Sequence, residues 1–77
     1  MSIYTIYRNV FAQDEDTGLW VKKIGTEYLR VTKSGRYVWQ DDLQVSSEFT
    51  LEESDKILEN LLRVIRPKYQ YGKVWQY

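Results

Sequence analysis

The chain contains no cysteine and no histidine. Without cysteine there is no disulfide to staple a small fold and no thiolate for a metal. Without histidine the commonest metal ligand and the commonest general base at neutral pH are both missing. Proline occurs once, at Pro67, so most of the chain is free to form ladders or helix. A cysteine-free domain suits a reducing compartment, and a cytoplasmic location is expected. No apolar run approaches the length of a bilayer span, and "MSIYTIYRNV" has no charged leader region, so neither a membrane partner nor a signal peptide is expected. No glycine-rich phosphate loop, nucleophile elbow or acid–base pair is visible, so no enzymatic activity and no cofactor are expected.

Aromatic residues, by contrast, are abundant: seven Tyr, three Trp and two Phe in 77 residues. A chain of this length makes one small domain, spanning 1–77, with a core worth only ~3–5 kcal/mol. Such a core has little room for twelve large rings.

The order of patterns predicts an α+β fold. Residues 2–11 are rich in β-branched and aromatic residues and read as a strand, followed by a polar loop at 12–18. "LWVKKI" (19–24) and "EYLRVT" (27–32) flank Gly25-Thr26, a pair suited to a two-residue hairpin turn. "KSG" (33–35) then turns the chain into "RYVWQ" (36–40). The expectation is an antiparallel β-meander, four- or five-stranded once a final strand or ordered tail at 68–77 is included.

The run "SSEFTLEESDKILENLL" (46–62) reads as a helix start. Thr50 followed by Glu53 is a capping-box signature, and Glu52, Glu53 and Asp55 suit the positive end of the helix dipole. Leu58, Leu61, Leu62 and Ile65 are predicted to form its buried face, with Leu51 and Ile57 at the margin. Arg63, Arg66 and Pro67 are predicted to end it.

Period-two alternation then suggests a working surface. Leu19 and Val21 oppose Trp20 and Lys22; Leu29 and Val31 oppose Tyr28 and Arg30; Val38 opposes Tyr37 and Trp39. Aliphatics on one face would pack against the helix. Trp20, Lys22, Tyr28, Arg30, Tyr37 and Trp39 would then share the opposite, open face. Trp, Tyr and Arg are the residues enriched at binding hot spots. The competing reading makes these rings cross-strand stabilisers of the sheet, or core covered by residues 69–77.

Charge is segregated. Residues 19–40 carry five cations and one carboxylate, a net +4, while 41–60 carry seven carboxylates and one cation, a net −6. The acidic residues do not form a metal motif. In "DEDTG" (14–18) the glycine stands fifth rather than sixth, and position twelve is Gly25 rather than Glu.

"WQDDLQVSSEFTLEESDKILENL" (39–61) resembles small single-domain phage and prophage proteins, in which a hairpin leads through an acidic segment to a Phe-Thr-x-Glu-Glu helix start. That resemblance implies a host- or phage-directed protein partner and an inhibitory or adaptor role, in the host cytoplasm. The span from Trp20 to Leu62 also resembles the arm-type DNA-binding domains of integrases, with Trp20, Phe49, Thr50 and Glu53 fitting the outline. That likeness implies a nucleic-acid partner for the sheet face. Neutral net charge favours the protein partner, because DNA affinity rests on clustered cations. A second copy of the chain is a further reading of the same face.

Overall fold

The structure, a computed structural model, describes residues 2–77. A four-stranded antiparallel sheet carries one helix on one face: β1 (Tyr4–Gln13), β2 (Trp20–Val31), β3 (Tyr37–Gln40), a 3₁₀ turn at Leu43–Val45, α1 (Leu51–Leu62) and β4 (Tyr69–Trp75). The strand order is β3-β2-β1-β4. The first three strands form the expected meander, and residues 69–75 form the fourth strand, which pairs along the free side of β1.

Residues 19–24 and 27–32 do not form a hairpin. They are one continuous strand, with Gly25 inside it opposite Val10. Nothing lies within 4 Å of where a Gly25 side chain would begin, so neither crowding nor a reversal requires glycine here. The true reversals are at 14–18 and 32–36. Gly18 (φ 73) and Gly35 (φ 83) hold the positive φ that other residues rarely adopt. The register shifts between Val10 and Phe11 and again between Ala12 and Gln13 show that β2 carries extra residues here. Such bulges bend a strand and increase its twist.

The register defines two faces. Ile6 and Leu29 are completely buried, and Phe49 closes the small core between them. Val31, Trp39, Ile57, Leu58 and Leu61 pack around it. Phe49 arrives there because segment 47–49 fills the gap where β1 and β2 diverge. Ser47 N–H donates to the Leu29 carbonyl, its Oγ accepts from Val31 N–H at 2.8 Å, and Phe49 exchanges two backbone bonds with Tyr4.

α1 begins at the expected residue. Thr50 Oγ1 accepts from Glu53 N–H at 3.2 Å, and Glu53 Oε1 accepts from Thr50 N–H at 3.0 Å, which completes the capping box. The buried face differs from the sequence expectation. It is Ser54, Ile57, Leu58 and Leu61, while Leu62 is 61% and Ile65 91% exposed. The helix ends at Leu62 with Arg63 as its cap, so Ile65 lies beyond it in the turn to β4. Ser54 allows the close approach: it is fully buried, and its hydroxyl donates to the Leu51 carbonyl at 2.8 Å. Among the described residues no helix is long and apolar enough to cross a membrane.

Candidate binding face

Antiparallel register partners share a face, so the strand register assigns each side chain to a face. Ile6 and Leu29 fix the helix-covered side. Their alternates, Thr5, Tyr7 and Asn9 on β1 and Thr26, Tyr28 and Arg30 on β2, fall on the other side. The 3₁₀ turn and the residues Gln76 and Tyr77 reach only the end of this face, around the buried Thr5. The middle is a shallow depression of about 390 Å³ lined by Tyr7, Asn9, Lys23, Thr26, Tyr28, Lys73 and Val74.

Its floor is organised by hydrogen bonds running across three strands. Thr26 Oγ1 donates to Asn9 Oδ1 at 2.8 Å, and Asn9 Nδ2 donates to Gln70 Oε1 at 3.1 Å. These links hold β2, β1 and β4 together on the open side and fix the Asn9 amide. Tyr7 lies flat across Gly72, its register partner. A Cβ built on Gly72 would sit 2.5 Å from the Tyr7 hydroxyl oxygen, so glycine is what lets the ring lie down. The depression thus brings together two tyrosines, a fixed amide and the nearby cations of Lys23 and Arg30.

The six residues expected to share the open face divide between the two faces. Tyr28 and Arg30 stand on it. Trp39 pairs with Leu29 and Tyr37 pairs with Val31, so both point to the helix-covered side. Val38, expected to be inside, pairs with Arg30 and faces outward. Sorting aliphatics against aromatics inverted β3, because the packed residue there is tryptophan rather than valine. Trp20 pairs with Gln13 and Lys22 with Ala12, so register puts them on opposite faces, beyond the first bulge. Tyr7, Asn9, Thr26 and Lys23 were not singled out from the sequence. Gly72 in an otherwise aromatic strand was the signal for Tyr7.

On the covered side, past the end of α1, Arg8 organises a second cluster. Its guanidinium carbon lies 4.1 Å from the Tyr69 ring centroid and 4.4 Å from that of Trp39, and its Nε donates to Glu27 Oε1 at 2.7 Å. Tyr71 completes the group, 5.7 Å from Trp39 and 6.1 Å from Tyr69. The cation site between these rings is already filled by Arg8, so the cluster is structural.

The distal halves of β1 and β2 form a two-stranded arm. Pairing to β4 stops at Val10 and pairing to β3 stops at Tyr28. Leu19, Trp20, Val21 and Ile24 are exposed on this arm. Its acidic tip is a self-capped turn: Asp14 Oδ1 accepts from the N–H groups of Asp16 at 2.8 Å and Thr17 at 3.3 Å. Among the described residues no group of three or more potential ligands could hold a metal ion.

Among the described residues Glu53 and Tyr77 are perturbed, and neither lines the depression. Accepting the Thr50 backbone N–H, and then the Thr50 side-chain bond, holds the Glu53 carboxyl below its ordinary value of 4.5. The Tyr77 phenol is raised above 10.0 by its hydrogen bond to Glu48. Both shifts belong to a helix cap and a tail anchor. No protein family, no curated protein and no solved structure matches this chain.

Proposed function

We propose that this chain is a non-catalytic protein-binding module, and that the partner docks on the sheet face bearing Tyr7, Lys23, Tyr28 and Arg30. The observation that carries the reading is that α1 lies against one face of the sheet and, among the described residues, no element lies over the middle of the other. The half-buried rings of Tyr7 and Tyr28 on that face are left for a partner to cover. The likeness of residues 39–61 to phage proteins extends the reading to an inhibitor or adaptor acting on a host protein in the host cytoplasm.

Nucleic acid is the second reading, favoured by Lys23 and Arg30 beside the half-buried rings of Tyr7 and Tyr28. Against it stand the carboxylates of Asp14, Glu15 and Asp16 at the arm tip and a net charge of zero.

Arg30→Ala and Tyr28→Ala test the proposal together. Arg30 is exposed, so its removal should leave the fold unchanged by circular dichroism and thermal melting. A protein captured from host lysate by the native chain should lose ~2 kcal/mol of affinity with Tyr28→Ala. A partner bound equally by both variants would place the contact elsewhere. Raising salt from about 50 to 200 mM should weaken a protein contact modestly, whereas DNA or RNA binding would collapse.

A further inference from the structure

We propose that a second copy of this chain pairs antiparallel along the outer edge of β4, so that two sheets become one and two α1 helices lie side by side. This surface is separate from the open sheet face. Both open faces stay available, side by side on the joined sheet.

The edge itself is the first observation. β4 is the seven-residue strand Tyr69–Trp75 at one side of the sheet, with β1 on its other side. Phe11 N–H donates to the Lys68 carbonyl and Gln76 N–H to the Ile3 carbonyl, so the even-numbered residues of β4 bond inward to β1. Alternation then directs the backbone N–H groups of Tyr71, Lys73 and Trp75 outward, where no strand meets them. Gly72 is the midpoint of β4. A two-fold axis through it pairs Tyr71 with Lys73 of the second copy, each pair exchanging both backbone bonds.

The helix provides an independent constraint. α1 rests on β1 and β4 alike, so its axis runs near the line between them. With strands ~4.8 Å apart, that line is also about 4.8 Å from an axis bisecting β4 and its mate. The two helices would therefore lie ~10 Å apart, close to the ~8–10 Å of packed helices. They would touch without moving the sheet.

Side chains match across that axis. The Lys73–Asp55 ion pair sets the phase of α1 over β4 and identifies the helix stripe facing the edge. One strand residue covers as much length as about two helical residues, so Gly72 lies level with Ile57. Leu51 and Leu62 share the stripe with Asp55 and are 47% and 61% exposed. Symmetry about Ile57 brings Leu51 of one copy within one helical residue, about 1.5 Å along the axis, of the level of Leu62 of the second copy, covering both. It also brings Glu52 within one helical residue, about 1.5 Å along the axis, of the level of Arg63 of the second copy, so the acidic start of each helix meets the cationic cap of the other. Asp55 comes level with Glu59 of the second copy, and each carboxylate brings its own cation, Lys73 and Arg63.

Light scattering from micromolar to millimolar protein should show a species of twice 9.3 kDa. Leu62→Glu, at a position 61% exposed, should raise the dissociation constant about tenfold or more while the monomer's thermal melt stays that of the native chain. Arg63→Glu should weaken the dimer, and Glu52→Arg combined with Arg63→Glu should restore it. Register is read by cysteine, because the chain has none. Gln70 of one copy faces Val74 of the second copy in a close non-hydrogen-bonded pair, ~4.5 Å between Cα atoms, which a disulfide can span. Under mild oxidation, Gln70→Cys mixed with Val74→Cys should cross-link, while either alone should not, its two sulfurs being ~13 Å apart. A monomer at millimolar concentration would overturn the proposal. So would a dimer insensitive to Leu62→Glu, or cross-linking of Gln70→Cys alone as readily as the mixture.

Discussion

Arg8 and Glu27 are register partners on β1 and β2, and their side chains meet at 2.7 Å with only 16% and 33% of each exposed. The same guanidinium is stacked between Tyr69 of β4 and Trp39 of β3, so one side chain ties all four strands together beyond the reach of α1. A planar, forked cation can donate along its edge while its faces contact rings; an ammonium cannot do both. Arg8→Lys should therefore cost ~1–2 kcal/mol despite conserving charge. Arg8→Ala should cost more, since it also leaves the half-buried Glu27 carboxylate unpaired. Urea denaturation of the two variants checks the ranking, and equal stability of Arg8→Lys and the native chain would remove the stacking argument.

The capping box predicts both a mutational and a pH effect. Thr50→Ala removes the acceptor for the Glu53 N–H and should cost ~1 kcal/mol by thermal or chemical denaturation.

Glu53 has a folded pKa below its unfolded value, so its contribution is present above about 4.5 and is lost as pH falls through the folded value. Glu53→Gln keeps an acceptor for the Thr50 N–H but cannot titrate. Its stability should fall less steeply than the native chain's below pH ~4.5, and the Thr50 amide resonance should stop shifting there.

The rotation of α1 sets a contrast between neighbours. Leu61 packs on the core while Leu62 stands 61% exposed. Leu61→Ala should cost ~2–4 kcal/mol, below a fully buried leucine because Leu61 is only partly covered. Leu62→Ala and Ile65→Ala should each change the stability of the monomer by less than ~0.5 kcal/mol. A large loss at Leu62 in dilute solution would mean the helix is turned from the orientation described.

How far the sequence reached depended on whether the signal was local. Thr50 and Glu53 bond within one turn, so the capping box was readable directly, and Gly35 marked the β2–β3 reversal for the same reason. Gly25-Thr26 looked like a turn, yet its outcome was set by Val10 and Thr26's bond to Asn9 on another strand. The face of Trp39 was likewise decided by its register with Leu29, a relation that alternation within β3 cannot supply. Helix rotation failed at Leu62 because Ser54, a small polar residue, occupies the centre of the buried stripe, and Ile65 failed because the helix stops at Leu62. Hydropathy counts it as surface, whereas packing favours it where helix and sheet approach closely. Tyr28 and Arg30 were assigned to the open face because β2 carries its aliphatic residues, Leu29 and Val31, on the core side.

Gly72 and Tyr7 together shape the open face. Alanine is ordinarily better than glycine in a strand, by roughly 0.5–1 kcal/mol. At position 72 the sign should reverse, because the new Cβ would lie 2.5 Å from the Tyr7 hydroxyl oxygen and 2.6 Å from its ring carbon. The ring must swing off the sheet, exposing apolar area on both residues and opening the floor of the depression. Gly72→Ala should thus destabilise the native chain but stabilise a Tyr7→Ala chain, where nothing obstructs the methyl group. The double-mutant cycle isolates the contact, with a coupling of about 1–2 kcal/mol expected for residues packed this closely. Additive effects would show that the Tyr7 ring does not rest on Gly72. If Tyr7 belongs to the docking surface, Gly72→Ala should also weaken partner binding by displacing the ring, without touching the partner itself.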